Sequence, residues 1–257
     1  MNPSTRFEMT GAVAIVTGAS GTLGRQFSVA LAEAGATVAL VGRKQTELEA
    51  TRTAVADAGG RSEIVIADLT EAGAVSDTMR IVESRLGVPT VLINNAGSAA
   101  AAPTAELSLA DWDSVMNVNL RGAFLVAQAF GRRRIAAGGG GAIVNIASIT
   151  GLTAPITITP YAVSKGALIQ LTKILAREWA RHRIRVNALC PGYFESNMTQ
   201  SYLDSEHGER MLRAVPMRRG GRAGELDGPL LLLASEAGSY MTGATIVVDG
   251  GQTLVTP

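Results

Sequence analysis

The chain is short of the residues on which several kinds of function depend. Its one cysteine, Cys190, cannot form an internal disulfide, and nothing marks an oxidising compartment. Two histidines, His182 and His207, are too few for a typical histidine metal site, so no metal is expected. No apolar run approaches the ~20 residues that span a bilayer, and the opening stretch MNPSTRFEMTG lacks the apolar segment of a signal peptide. Neither sign of charge dominates: 23 Lys and Arg stand against 22 Asp and Glu, a net charge of +1. That balance argues against nucleic acid or a membrane surface as a partner held by electrostatics. No Pro/Ser-rich linker or charge run divides the 257 residues. The expectation is one soluble cytoplasmic domain over residues 1–257.

Hydrophobic residues make up 47% of the chain and charged residues 18%, enough for a sizeable core. Short runs that are apolar on both faces read as buried parallel strands: VAIVTG (13–18), TVALVG (37–42), SEIVIAD (62–68), TVLINNAG (90–97), GAIVNIAS (141–148), IRVNALCPG (184–192) and ATIVVDG (244–250). Between them lie helical patterns at 23–35, 45–58, 71–86, about 111–137, about 160–181 and about 224–235. Alternation of this kind specifies an α/β fold: a doubly wound, seven-stranded, mainly parallel sheet with helices on both faces. Ligands bind such sheets beyond the carboxyl ends of the strands. Gly18, Gly42, Asp68, Asn94, Ser148 and Pro191 therefore share one edge, and the long segment 193–215 is a candidate lid over it.

Two motifs carry chemistry. TGASGTLG (17–24) joins the first strand to the first helix. Glycines there let backbone approach a pyrophosphate, and the helix N-terminus offers free N–H groups. YAVSK (161–165) places Tyr161 and Lys165 on one helix face, with Cβ atoms roughly 6 Å apart. Moving a phenol pKa from ~10 to about 7 takes roughly 4 kcal/mol. One cation at ~4 Å supplies about that much at an effective dielectric near 20.

These motifs, with NNAG (94–97), VNL (118–120), NIAS (145–148), PGYFES (191–196) and VDGG (248–251) in the same order, resemble the short-chain dehydrogenase/reductase family over nearly the whole chain. The interval of 13 between Ser148 and Tyr161 matches the family's. One departure is that the family's glycine position is Thr22 here, with Gly21 before it; the pyrophosphate turn is expected to follow a slightly different path. The resemblance implies an NAD(P)-dependent oxidoreductase that interconverts a ketone and a secondary alcohol. Tyr161 would be the general acid and base, Ser148 would bond the substrate oxygen, Lys165 would bond the nicotinamide ribose, and Asn119 would hold a relaying water. Cofactor contacts are expected from Gly18, Ser20, Gly21, Thr22, Leu23 and Gly24, from Arg43, Asp68 and Leu69, from Asn95, Ala96 and Gly97, from Tyr161 and Lys165, and from Pro191, Gly192, Phe194 and Ser196. Asn94 reads as structural, and Cys190 as a small buried apolar residue.

The second strand ends in Gly42-Arg43-Lys44, where an NAD-preferring fold carries an acid for the ribose 2′-OH. A guanidinium there suits a 2′-phosphate, so NADP(H) is the preferred cofactor, with NAD(H) possible. Ala99, Ala100, Ile149, Leu152, Tyr193, Met198 and Tyr202 are candidate substrate contacts, mostly small or apolar. They suit a small-molecule carbonyl or alcohol. Some relatives reduce 3-oxoacyl groups on acyl carrier protein through basic residues, and Arg132–Arg134 with Arg181–Arg185 keep that alternative open. A non-catalytic dinucleotide sensor is a remoter one. The resemblance also implies a homotetramer.

Overall fold

Val13–Thr17 (β1) is buried at every position and receives a parallel neighbour on each side, as a strand with two apolar faces must. The computed structural model describes residues 3–196, 199 and 203–255. The other strands are Thr37–Gly42 (β2), Arg61–Ile66 (β3), Val91–Asn94 (β4), Gly141–Ile146 (β5), Ile184–Pro191 (β6) and Thr245–Val248 (β7). All pair in parallel, in the order β3-β2-β1-β4-β5-β6-β7. The chain reverses its direction of winding between β1 and β4, which opens a crevice at the carboxyl ends of those strands.

Helices cover both faces. They are Thr22–Glu33 (α1), Gln45–Asp57 (α2), Ala72–Leu86 (α3), Leu109–Met116 (α4), Ala123–Ala136 (α5), Thr159–Trp179 (α6), Glu206–Ala214 (α7) and Asp227–Ala234 (α8). One core lies under α1, α2 and α8, built on Phe27, Leu31, Leu40, Ile93 and Leu230. The other lies under α3, α5 and α6, built on Met79, Leu92, Phe130, Ile143 and Ile184.

The helix expected over about 111–137 is three segments. Between α4 and α5, residues Asn117–Gly122 form a π-helical stretch. Such widened turns re-aim a side chain and gather at functional sites. This one turns Asn119 fully inward. The helix expected over about 224–235 starts as a 3-10 turn at Ala223–Leu226 before α8. The strand expected over 90–97 stops at Asn94, three residues early, and the remaining expected boundaries agree to within a residue or two. Of the segment 193–215, the described part is tied to the rest of the fold at its far end. The Met217 N–H donates to the Gly250 carbonyl at 3.2 Å, and Gln252 Nε2 lies 3.6 Å from Met211 Sδ.

Candidate active site

A cleft follows the carboxyl edge of the sheet. It runs from the turn after β1 to the segment after β6. The β1–α1 turn sets its floor. Gly18 has φ +64°, a conformation that L side chains rarely adopt. A Cβ at Gly24 would sit 2.2 Å from the Gly18 carbonyl oxygen, so helix α1 starts this close to the turn only with glycine there. Gly21 caps α1 with φ −83° and ψ 166°, and Thr22 is its first residue. Those are ordinary dihedrals, so the exchange of glycine between positions 21 and 22 asks nothing unusual of the backbone. Thr17 holds the facing wall: its hydroxyl accepts from the N–H groups of Asn95 and Ala96, both at 3.0 Å. Asn95 donates in turn to the Thr17 and Gly18 carbonyls.

Gly18, Ser20, Gly21, Thr22, Leu23, Gly24, Arg43, Asp68, Leu69, Asn95, Ala96 and Gly97 all line the cleft, as do Ser148, Tyr161, Lys165, Pro191, Gly192, Phe194 and Ser196. At its mouth beyond β2 and β3, Arg43 Nη1 stands 3.9 Å from Asp68 Oδ2, both side chains being well exposed. An exposed pair at that distance is weak. Asp68 is held below the usual carboxylate range chiefly by bonds from Thr70, with Arg43 the smallest contribution. The guanidinium is thus free to engage an anion. Lys44 is occupied by Glu47 at 3.1 Å.

At the inner end three elements converge. β5 delivers Ser148, and the 3-10 turn Ile149–Gly151 follows at once. A Cβ at Gly151 would lie 2.7 Å from Gly166 N and from Lys165 C, so this turn rests directly on the backbone of α6. That contact fixes Ser148 against Tyr161, with which it shares a hydrogen bond. Lys165 is buried. Its ammonium donates to the Ile146 carbonyl at 2.8 Å and lies 5.5 Å from the centre of the Tyr161 ring. Burial lowers Lys165 to about 8. It also raises Tyr161, against the opposing Ser148 bond. The simple electrostatic argument, a cation lowering the phenol, does not describe this arrangement: the ammonium bonds the Ile146 carbonyl, and desolvation outweighs the lowering contribution of Ser148.

Asn119 is fully buried between the loop after β4 and α6. Its amide donates to the Ser98 carbonyl at 2.9 Å and to Ser164 Oγ at 3.0 Å, and its oxygen accepts from the Ser98 N–H. The side chain clamps the loop after β4 onto α6, beside Gly97 and Lys165. Phe194 is buried, and its carbonyl accepts from the Thr199 hydroxyl, so that oxygen is already engaged. Thr199, Thr17, Gly151 and Ser164 were not singled out from sequence. Only Gly151, a glycine three residues beyond Ser148, carried a readable signal. Cys190 is fully buried, accepts from the Ser148 N–H, and has its thiol pushed up to about 11 by burial. It is an unreactive neighbour. Asn94 donates to Asn145 and to the Ala123 carbonyl inside the core, as its structural reading requires.

Of the substrate candidates, Ala99 and Leu152 are exposed, and Tyr193 is half-buried in the turn after β6. Met198 and Tyr202 lie outside the described residues. No group of three metal-ligating side chains occurs among the described residues, and no helix among them is long and apolar enough to cross a membrane.

The cleft fits a dinucleotide: a glycine turn facing a helix N-terminus, an exposed and weakly paired guanidinium at one end, and a hydroxyl–phenol–ammonium trio at the other. A family model described as enoyl-(acyl carrier protein) reductase matches residues 18–253. The chain is 38% identical to a gluconate 5-dehydrogenase of Gluconobacter oxydans (strain 621H), over 96% of this chain and 97% of that protein. It is 39% identical to an L-tagatose-forming galactitol 2-dehydrogenase of Cereibacter sphaeroides, over 99% and 100%. The crystal structure of a gluconate 5-dehydrogenase from Burkholderia cenocepacia J2315, in complex with NADP and tartrate, superposes with a TM-score of 0.94 at 36% identity, covering 98% of this chain and 99% of that one.

Proposed function

The chain belongs to the short-chain dehydrogenase/reductase family, and from that premise we propose that it is an NADP-preferring oxidoreductase interconverting a ketone and a secondary alcohol of the sugar or polyol class. The observation that carries this reading is the convergence of Ser148, Tyr161 and Lys165 at the inner end of a cleft that starts at the glycine turn. Bound NADP(H) supplies or takes up the hydride. Tyr161 gives its phenolic proton to the substrate oxygen in reduction and receives it back in oxidation. Ser148 bonds the same oxygen and offsets the charge that develops on it. Lys165 is a compact cation behind Tyr161, and Asn119 keeps the loop after β4 registered against it. Arg43 grips the 2′-phosphate. A Cβ at Gly42 would crowd Ser20 Oγ and Leu48 at 3.3 Å, which disfavours the acid that reads an unmodified ribose. Residues 1–257 form one NAD(P)-binding domain, with 193–215 as its lid, and four copies assemble through α4–α6 and β7.

The reading as a 3-oxoacyl carrier-protein reductase loses its main support. Arg134 bonds the carbonyls of Gly139 and Gly140, Arg183 bonds Gly138, and Arg185 bonds Leu233 and Ser235. These arginines brace the amino ends of β5 and β6, the edge opposite the cleft.

The test follows reduced-nicotinamide absorbance with NADPH and NADH against polyols, ketoses, cyclic ketones and a 3-oxoacyl thioester. NADP-linked turnover of a polyol–ketose pair is expected. Turnover of the thioester alone would replace the substrate class. Tight cofactor binding without any turnover would indicate a sensing protein.

A further inference from the structure

Resting on that reading, we infer that Arg121 is a positioning residue: through Thr70 it ties the loop that meets the adenosine half of the cofactor to the π-helical turn that holds Asn119 beside Tyr161 and Lys165. In the turn Asn117–Gly122 the backbone bonds reach one residue farther than in an α-helix. The far end of the turn is fixed, because Asn94 on β4 donates to the Ala123 carbonyl at 3.2 Å. Relaxation to an α-helical turn would rotate the residues before that point by as much as about 100°. Asn119 would then leave the Ser98 backbone and Ser164 Oγ, its three present bonds. The turn is thus an element with two arrangements, only one of which serves the site.

Asn119 holds one side of the turn, and the loop after β3 holds the other. Arg121 Nη1 donates to the Thr70 carbonyl. Thr70 gives its N–H and its hydroxyl to Asp68 Oδ1, at 3.0 and 2.8 Å. Gly122 is buried, and a Cβ there would lie 3.2 Å from the Leu69 carbonyl oxygen, so the loop rests on the backbone of the turn. Asp68, Leu69, Thr70, Val118 and Gly122 all line the cleft. On the catalytic side the contacts continue. Asn119 donates to Ser164 Oγ at 3.0 Å, and Ser164 donates to the Tyr161 carbonyl at 2.7 Å. A Cβ at Gly97 would meet Asn119 Oδ1 at 3.5 Å and Lys165 Nζ at 3.6 Å, so the amide and the ammonium flank the same glycine.

An adenosine group seated on Asp68 and Leu69 stiffens Thr70, and with it the acceptor of Arg121. Binding energy from the unreacting end of the dinucleotide is then used to order the reacting end. Arg121 is exposed, and a single exposed contact of this kind adds little to folding stability. Its removal leaves the turn with Asn119 and the Leu69 contact alone. The trio loses register, and the adenosine keeps its own contacts. A misplacement of about an ångström, caused far from the chemistry, can cost ~100-fold in rate.

The experiment uses Arg121→Met, which keeps an unbranched stem in the hollow shared with Phe124 and Leu171 and removes the guanidinium. With whichever polyol or ketose turns over fastest, kcat should fall by at least about tenfold while the dissociation constant of NADPH stays within about threefold. Hydrogen exchange over residues 117–122 gives a second readout that needs no substrate. In the unaltered protein, adenosine 2′,5′-bisphosphate, with AMP as the alternative probe, should slow that exchange. In Arg121→Met the turn should exchange faster without nucleotide, and the slowing should be lost although the nucleotide still binds. Either an unchanged kcat or an unchanged exchange rate in the variant would overturn the inference. So would matching losses of kcat and NADPH binding, which would make Arg121 a residue that merely holds the cofactor. Should neither nucleotide bind the unaltered protein, the dinucleotide reading fails by itself. The exchange of the nucleotide-free variant then still decides whether the guanidinium holds the turn.

Discussion

Arg43 and Lys165 are both cations in the cleft, and their surroundings give them opposite characters. Arg43 is exposed and only loosely paired with Asp68, so its free energy goes to whatever anion arrives. Arg43→Asp should raise the Michaelis constant for NADPH by about tenfold or more, the loss of a charge-assisted bond, while changing that for NADH far less. Equal effects on both would place 2′-phosphate recognition elsewhere. Lys165 is buried and lowered from 10.5 to about 8. Between those values the unfolded chain binds the proton more fully than the folded one, so folding stability rises with pH across that window. Lys165→Met should remove this rise and increase the melting temperature at pH 7, while destroying turnover. Melting curves from pH 7 to pH 10 check it, and an unchanged slope would mean that the ammonium is better solvated than its burial indicates.

At the scale of elements, the cleft depends on polar side chains within the sheet layer. Asn94 on β4 donates to Asn145 on β5, which donates to Thr172 on α6, at 2.9 and 2.8 Å. This ladder fixes α6, and with it Tyr161 and Lys165, against the strands that carry Ser148. Asn145→Leu leaves one Asn94 N–H without its acceptor and takes from the Thr172 hydroxyl its donor, while their bonds to the Ala123 and Leu168 carbonyls remain, and should cost about 1–3 kcal/mol in urea unfolding. A neutral result would mean that the layer relaxes around the loss. Strands were legible because a buried parallel strand is an unbroken apolar run: TVALVG ended where β2 ends, and VAIVTG ran one residue past the end of β1. The trio Ser148, Tyr161 and Lys165 was legible from spacing along one strand end and one helix face. The π-helical turn at Asn117–Gly122 was not, because its residues continue an ordinary helical pattern and only the bonds of Asn119 to Ser98 and Ser164 explain the widening. Nor was the direction of the Tyr161 shift legible, since desolvation depends on packing that spacing does not encode.

For the whole molecule, the exposed apolar side chains are informative. Leu109, Phe124, Val163 and Ile174 lie exposed on α4–α6, and Val247 on β7, where burial against other copies would remove them from water. A particle of four times the 26.6 kDa chain mass is expected by sedimentation, and a monomer at working concentration would refute that assembly. The sheet edge, the cleft and the proton-transfer trio together amount to one claim: Tyr161 moves the proton and does little to hold the dinucleotide. The most direct test is Tyr161→Phe, with NADPH binding followed by fluorescence and turnover followed by absorbance on the same sample. The account predicts turnover reduced by at least about a thousandfold, within the range assigned to general acid–base catalysis, with the binding constant within a fewfold of the unaltered protein. Retained turnover would contradict it, and so would a collapse of cofactor binding matching the loss of rate.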